Sequence, residues 1–270
     1  MYIVINKWEI GWATDTGLVR RDTPNQDSIA VVQPFLMWRP PLLLLADGMG
    51  GYTGGALASQ IVVMIVRDAY KKSFRKASDN LELVCEAIVH AHEFIRDQGA
   101  IRTEFAHMGT TIAAAILDGE HLRIANVGDT RVYVVSARGV RQVSYDHSLV
   151  ADLIREGKIP ADEAAHHPDR NKLTRSLNAA RDLVSPFSCT VALHPGERIL
   201  LCTDGLWSSV TEEQIQQVVM QFEPQVAVNK LVQMANLNQG LDNISAIIAR
   251  RRGDKPLFLN HASQETEAVK

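Results

Sequence analysis

The chain has 270 residues, of which 46% are hydrophobic and 22% are charged, and its formal net charge is −3. These values are typical of a globular protein with a sizeable core, and the slight acidic excess gives no electrostatic basis for nucleic-acid binding. The three cysteines, Cys85, Cys189 and Cys202, are odd in number and lack metal-ligand spacing, which argues against a disulfide framework and a zinc site.

Charged residues near the amino terminus bear on the cellular location. Lys7, Glu9 and Asp15 interrupt the first fifteen residues, so the apolar core of a signal peptide is missing. The sequence has no window of about eighteen uninterrupted apolar residues, the minimum expected of a membrane span. We therefore expect a monomeric, cytoplasmic protein without nucleic-acid or membrane partners. The basic run at residues 250–252 is interpreted as a solvated strand end.

Periodicity in the first half of the chain predicts strands followed by two helices. The apolar run at residues 42–46 has no helical period, which favours a strand buried on both faces. Asp79 and Glu82 resemble a capping box at the start of the second helix. The predicted elements are strands at 8–15, 27–33 and 42–46 and helices at 55–72 and 79–98.

The second half alternates strand runs with helices. Asp118 and Gly119 have the signature of a hairpin turn, and Thr211 with Gln214 that of a helix cap. The order of strand runs and paired helices favours an α+β fold in one domain, residues 1–253, with a polar tail at 254–270. The predicted elements are strands at 110–117, 121–127, 131–136, 188–193, 198–203 and 243–251, helical pieces within 147–178, and helices beginning at Thr211 and at Pro224, the latter ending near Leu237.

Aspartates recur at the ends of the predicted apolar strands. Asp47 and Asp204 each follow such a run and precede a glycine, Asp129 follows a glycine, and Asp242 stands before the last strand. A carboxylate at the end of a buried strand is costly unless a cation meets it. Oxygen ligands with few His or Cys residues nearby favour magnesium or manganese over zinc. The pattern therefore predicts carboxylates that converge on hard cations.

Other kinds of site fail on particular residues. A dinucleotide-binding fingerprint needs a third glycine where Thr53 stands, and the Gly-Lys-Ser/Thr tripeptide of a P-loop is missing from the sequence. The sequence also has no Gly-x-Ser-x-Gly elbow and no H-E-x-x-H motif. His166 and His167 are interpreted as surface residues of a loop.

Several short motifs together resemble the protein phosphatase 2C family, in a form that looks bacterial. They occur in the family's order and span residues 12 to 250, which makes the combination highly specific. The motifs are Asp15-Thr16-Gly17-Leu18-Val19-Arg20, Asn25-Gln26-Asp27, Ala46-Asp47-Gly48-Met49-Gly50-Gly51, Gly109-Thr110-Thr111, Asn126-Val127-Gly128-Asp129-Thr130-Arg131, Asp146-His147-Ser148, residues 200–205 with Leu206-Trp207, and Asp242-Asn243-Ile244.

The resemblance implies a four-layer αββα sandwich, with two antiparallel sheets flanked by helix pairs and a metal site at one end. Residues 150–171 match the family's mobile flap, and residues 171–177 its following helix. The resemblance also implies a ligand set for two Mn²⁺ or Mg²⁺ ions and a possible third. In the implied ligand set Asp47 bridges both ions, and the Gly48 carbonyl binds the second ion. Asp204 and Asp242 bind the first ion, and Asp27 supports the second, usually through water. Asp129 and Asp204 form the third site.

The phosphate ligand implied by the resemblance is Arg20, with Arg21 as the alternative because the spacing to Asn25 exceeds the family's usual one by two residues. Alternation in an extended segment would place Leu18 and Arg20 on one face, and this favours Arg20. Two further departures concern Gln26, which replaces a glutamate of many members, and Met49. Met49 stands where many eukaryotic members carry a histidine thought to protonate the leaving group.

The resemblance, together with these residues, implies a metal-dependent protein serine/threonine phosphatase in which water attacks directly and no covalent enzyme intermediate forms. Two divalent ions would deprotonate a bridging water and neutralise phosphoryl charge. The expected partner is a phosphorylated protein, with a serine/threonine kinase or its targets as candidates. Two alternatives stay open: a phosphatase-fold regulatory module that binds a phosphoprotein without turnover, and a phosphatase of small phosphorylated metabolites.

Overall fold

The computed structural model describes residues 2–33, 39–73, 79–160, 163 and 167–253, without the side chains of Tyr52 and Thr53. Over these residues the chain forms thirteen strands in two antiparallel sheets and six α-helices. In this part of the chain, no helix combines the length and the apolar character needed to cross a membrane. The tail at 254–270 and His166 lie outside the described residues.

The first sheet has seven strands in the order β10-β5-β4-β6-β7-β11, with β3 paired to β4. Its central strand β4 contains the leucine run and ends beyond Asp47. In the β3–β4 register Asp27 lies directly opposite Asp47, so the sheet itself places two predicted site residues side by side. The strands are β3 (Asp27–Val32), β4 (Leu42–Met49), β5 (Gly109–Thr110), β6 (Ile112–Asp118), β7 (His121–Val127), β10 (Leu177–Asn178) and β11 (Phe187–Ala192).

The second sheet has six strands in the order β1-β2-β13-β12-β8-β9. β12 and β13 are antiparallel neighbours, with Cys202 opposite Ala246. The end of β12 and the start of β13 therefore lie at the same edge, which brings the residues after β12 close to those before β13. The strands are β1 (Tyr2–Ile5), β2 (Trp8–Asp15), β8 (Arg131–Ser136), β9 (Gly139–Gln142), β12 (Arg198–Cys202) and β13 (Ile244–Arg251).

Three apolar cores define the four layers. In β4, Leu44 packs toward helices α1 (Tyr52–Lys72) and α2 (Asn80–Ile101), while Leu43 and Leu45 pack between the two sheets. In β12, Leu201 joins the same inter-sheet core and Leu200 faces the helices on the other side. A strand that is covered on both faces needs apolar residues at every position. This explains why apolar and polar residues do not alternate in β4 and β12. The predicted αββα sandwich is confirmed.

Helix boundaries agree with the predictions on the second side of the sandwich. α5 (Glu212–Gln221) begins with the predicted capping box, in which Thr211 accepts a hydrogen bond from the Gln214 N–H at 3.3 Å. α6 (Pro224–Leu237) has the predicted bounds. Thr203 caps the one-turn α4 (Asp204–Trp207) without a side-chain hydrogen bond, and the predicted helical piece after His147 is α3 (Leu149–Arg155).

Three helix predictions are wrong in part. α1 begins three residues earlier than predicted, and the side chain of Asp79 makes no capping hydrogen bond to α2. Residues 171–177 form no helix, because Leu173 makes a bridge to Ser148 and Leu177 begins β10 against Thr110. Strands β1 and β9 were not predicted.

The basic run at 250–252 is not a solvated strand end. The Arg250 side chain is only 11% exposed, and its Nε lies 2.6 Å from a carboxylate oxygen of Glu9 on the paired strand. Its guanidinium also pairs with Glu223, which caps α6. Arg251 donates a hydrogen bond to the Leu193 carbonyl at 2.9 Å. These contacts fasten the end of β13 to β2 and to α6.

Candidate metal centre

Five aspartates gather where the two sheets end. Asp27 and Asp47 lie opposite each other on β3 and β4, Asp204 follows β12, Asp242 precedes β13, and Asp129 follows β7. Each contributes to the electrostatic environment of at least one other member. We call these five residues the aspartate cluster, and it unites all the carboxylates that the sequence predicted as metal ligands.

Burial and mutual repulsion make the aspartate cluster reluctant to ionise. Burial raises the pKa of Asp47 well above its usual value, and the charges of Asp27 and Asp204 raise it further. Burial is also the main cause that raises the pKa of Asp27 to about 7 and that of Asp129 to about 8. Carboxylates that crowd together in this way ionise more readily when cations lie beside them.

Unsatisfied oxygens show what kind of group would fit. Asp27 Oδ1 and Asp204 Oδ1 are buried and have no hydrogen-bond partner, which is unusual for charged oxygens in a folded protein. An all-oxygen donor set of this kind suits Mg²⁺ or Mn²⁺. The residues therefore fit hard divalent cations.

The carboxylates are held by other partners in this structure. A hydrogen bond joins Asp47 and Asp204, and Arg20 Nη1 lies 2.5 Å from Asp242 Oδ1. Among the residues that the structure describes, no three acidic, His or Cys side chains already stand in the arrangement of an ion site.

The two neighbouring arginines differ in direction. Arg20 reaches the aspartate cluster through its ion pair with Asp242, whereas Arg21 Nε donates to the Leu18 carbonyl at 3.1 Å on the exposed side of the loop. The extended segment assumed for this choice is wrong: residues 18–22 form a turn in which the Thr23 N–H bonds the Arg20 carbonyl at 2.9 Å. Geometry places Arg20, and not Arg21, at the cluster.

The buried side chains of Asn243 and Thr203 position the acidic residues, a role that the sequence analysis did not predict. Asn243 accepts a hydrogen bond from the Gln26 N–H at 2.8 Å and donates to the Thr16 carbonyl at 2.9 Å, so it ties together the loops that carry Asp27, Arg20 and Asp242. Thr203 donates to Asp27 Oδ2 at 3.1 Å. Their place directly beside Asp242 and Asp204 was the only available signal.

Asp129 is positioned by an aromatic residue of α4. Trp207 Nε1 donates to the Asp129 carbonyl at 3.1 Å. The guanidinium of Arg131 lies 3.6 Å from the Trp207 ring centroid and pairs with Asp146 at 2.7 Å. This stack connects the loop of Asp129 to the segment before α3.

Close backbone packing explains the glycine after Asp47. A Cβ on Gly48 would lie 2.1 Å from the Gly55 carbonyl oxygen, so no larger residue fits without moving α1. Gln26 donates from Nε2 to the Gly51 carbonyl at 2.8 Å. Its side chain therefore holds the glycine loop.

A cleft of about 1090 Å³ opens beside the aspartate cluster. Asp129, Asp204 and Asp242 lie on its surface, and Ile154 of α3 and Leu241 line it as well. The volume is enough for a small-molecule ligand or part of a peptide.

Comparisons with known proteins identify the family. A family model described as protein phosphatase 2C matches residues 15–242. The chain is 31% identical over 241 residues to the serine/threonine phosphatase stp of Listeria monocytogenes, with 88% of this chain and 94% of that protein covered.

Two solved structures are similar over nearly the whole fold. One is the serine/threonine phosphatase of S. agalactiae, with a TM-score of 0.84, 30% identity, and coverage of 91% of this chain and 100% of that one. The other is the catalytic domain of the serine/threonine phosphatase PstP in complex with 2 manganese ions, with a TM-score of 0.78, 28% identity, and coverage of 91% and 98%. The chain belongs to the protein phosphatase 2C family of metal-dependent serine/threonine phosphatases.

Proposed function

We propose that the aspartate cluster is the catalytic centre at which this enzyme removes phosphate from phosphoserine and phosphothreonine in proteins. The observation that carries this assignment is the convergence of five aspartates beside Arg20. Asp27 and Asp129 are buried and the other three are partly buried. The pKa values of the cluster are raised, and two carboxylate oxygens lack any partner. Such a site favours divalent cations first and then a dianionic phosphate.

The proposed ligands of two core Mn²⁺ or Mg²⁺ ions are Asp47, the Gly48 carbonyl, Asp204 and Asp242, with Asp27 acting through water. Asp129 together with Asp204 is the proposed site of a third, weaker ion. When bound, the ions acidify water and neutralise charge on the phosphoryl group. The protein holds the carboxylates in place through Asn243 and Thr203.

Arg20 is the proposed phosphate ligand. Its planar guanidinium can donate two parallel hydrogen bonds to phosphate oxygens. In this structure the same group pairs with Asp242, so it must turn from that carboxylate toward an incoming phosphate. Burial raises the pKa of the Cys202 thiol, which argues against this neighbour of the site as a nucleophile and favours direct attack by water.

The proposed substrates are proteins phosphorylated by a serine/threonine kinase, and the proposed active form is a monomer. Light scattering after size-exclusion chromatography measures the molar mass, and a dimer at assay concentrations would contradict the proposed monomer.

The decisive experiment measures phosphate release from an aryl phosphate and from a phosphothreonine peptide, with Mn²⁺ and then with excess chelator. We expect release with Mn²⁺ and none with chelator. Asp204→Asn should lose nearly all activity, because it removes a proposed metal ligand. Its circular dichroism spectrum should stay unchanged, because the substitution removes one repelling charge from the aspartate cluster. Activity that survives the chelator or this substitution would refute the assignment, and peptide binding without release would favour a regulatory module.

A further inference from the structure

Three exposed aliphatic side chains lie on two loops beside the aspartate cluster. Leu18 is 48% exposed, Val19 65% and Leu241 59%, and they are three of the eleven large hydrophobic side chains exposed in the described part of the chain. Single exposed leucines are ordinary, whereas a contiguous group indicates an interaction surface. We call Leu18, Val19 and Leu241 the apolar rim.

Backbone contacts hold the two loops of the apolar rim together. The Val19 N–H donates to the Gly240 carbonyl at 3.0 Å. A Cβ on Gly17, whose φ is +77°, would lie 2.1 Å from the Asp242 carbonyl oxygen, and a Cβ on Gly240 would lie 2.7 Å from the Leu18 nitrogen. The two loops that carry the three apolar side chains are therefore held in one fixed arrangement.

The loop after α6 keeps an unfavourable backbone conformation next to the rim. Gln239 has a φ of +90°, which side-chain-bearing residues rarely adopt. Its neighbours are fixed, since Asn238 Nδ2 donates to the Ser209 carbonyl at 2.7 Å and the Gly240 N–H to the Ala235 carbonyl at 3.2 Å. Strain that is held in place beside an active site is a recurrent feature of binding loops.

The position of the rim specifies what would cover it. Val19 immediately precedes Arg20 and Leu241 immediately precedes Asp242, so each of these two lies one Cα step, about 3.8 Å, from a proposed phosphate or metal ligand, and Leu18 lies one residue farther from Arg20. Leu241 lines the cleft together with Ile154. A phosphorylated side chain that reaches Arg20 must therefore bring its neighbours in the substrate chain over the rim.

We propose that the apolar rim binds a large aliphatic side chain adjacent to the phosphoserine or phosphothreonine of the substrate, and so selects for such sequences. This inference rests on the proposed catalytic centre. An alanine in the same place leaves the rim in contact with water and loses the burial of apolar surface. A difference of about five- to tenfold in kcat/KM is expected from one partly buried aliphatic side chain.

The test compares two phosphothreonine peptides that are identical except for leucine or alanine on both sides of the phosphothreonine. The measured quantity is the ratio of their kcat/KM values with Mn²⁺. We expect the wild-type enzyme to favour the leucine peptide about five- to tenfold and Leu241→Asp to reduce this ratio below about twofold. Val226→Asp is the matched control, because Val226 is an exposed aliphatic residue near the other end of α6.

A ratio near one in the wild-type enzyme would overturn the proposal, as would equal ratios in the wild type and Leu241→Asp. An equal loss in Val226→Asp would overturn it as well. Hydrolysis of an aryl phosphate, which has no flanking residues, tests the catalytic centre separately. If that hydrolysis fails, affinities for peptides with a nonhydrolysable phosphonate replace kcat/KM, and the same ratios decide for or against the rim.

Discussion

At the scale of single residues, the most informative pair is Arg20 and Arg21. Arg20 pairs with Asp242 at 2.5 Å, while Arg21 bonds a carbonyl of its own loop. Arg20→Ala should lower kcat/KM for an aryl phosphate by on the order of ten- to a hundredfold, because one charge-assisted pair to phosphate is lost. This factor corresponds to about 1.5–3 kcal/mol of lost transition-state stabilisation. Arg21→Ala is the matched control and should change the rate little. A larger loss in Arg21→Ala would move the phosphate site to the second arginine.

The same pair shows how far sequence reasoning reaches. The order of motifs identified Arg20, yet the extended geometry invoked in its favour does not exist, because a turn begins at this residue. The direction of a side chain in a turn depends on contacts with distant segments, here with Asp242. The roles of Asn243 and Thr203 could not be predicted for the same reason, since their partners Gln26 and Asp27 are remote in sequence.

Asp129 supports a second prediction at this scale. Its carbonyl accepts a hydrogen bond from Trp207, and Asp204 is the neighbouring charge that most raises the pKa of its carboxyl group. Asp129→Ala should therefore keep two tight Mn²⁺ sites in calorimetry and turn over slowly. Loss of one tight site would instead make Asp129 a ligand of the core ions.

At the scale of elements, two buried arginines cap helices at the end of each sheet opposite the aspartates. Arg39, just before β4, donates to the carbonyls of Tyr70 and Ser73 at the end of α1, at 2.6 and 2.7 Å. Arg198, the first residue of β12, donates to the carbonyls of Val219 and Phe222 at the end of α5. Each strand thus has an arginine at or just before its start and an aspartate near its other end.

This arrangement predicts a large effect of Arg198→Met on stability. Methionine keeps the unbranched aliphatic part of the side chain but removes the guanidinium, so the carbonyls at the end of α5 lose their donor. This loss should lower the free energy of unfolding by about 3 kcal/mol. Arg138→Met on the exposed β8–β9 turn is the control and should change it by less than about 0.5 kcal/mol. Urea denaturation measures both, and equal values would show that Arg198 contributes nothing beyond packing.

Element prediction succeeded where burial dictates the residue pattern and failed where tertiary contacts decide. The leucine run of β4 and the capping box of α5 were predicted because each has a local physical cause. β1 was missed because its turn relies on Asn6 with a φ of +53°, a conformation that the sequence signals only weakly. No helix forms over residues 171–177, because Leu173 bridges Ser148 and Leu177 pairs with Thr110 of β5.

At the scale of the whole molecule, function and stability oppose each other at the aspartate cluster. Five acidic groups are placed where the two sheets meet, and burial raises the pKa of each of them. An unfilled cluster therefore destabilises the fold that carries it. Divalent ions that bind only the folded chain reverse this penalty by mass action, by about 2.7 kcal/mol at a hundred times the dissociation constant.

Asp27→Asn separates these two contributions. Asp27 Oδ1 is buried without a partner, and Oδ2 accepts from Thr203, a bond that an amide oxygen can keep. In chelator at pH 8 the variant should be more stable than the wild type by about 1–2 kcal/mol, because one repelling charge is gone. In saturating Mn²⁺ the order should reverse, since the variant has lost a supporting carboxylate.

Thermal unfolding measures the stability of the wild type and of Asp27→Asn in chelator and in Mn²⁺, with Asp182→Asn as an exposed control. A variant that is less stable than the wild type in chelator would show that the cluster is not electrostatically strained, and an unchanged response to Mn²⁺ would remove Asp27 from the metal centre.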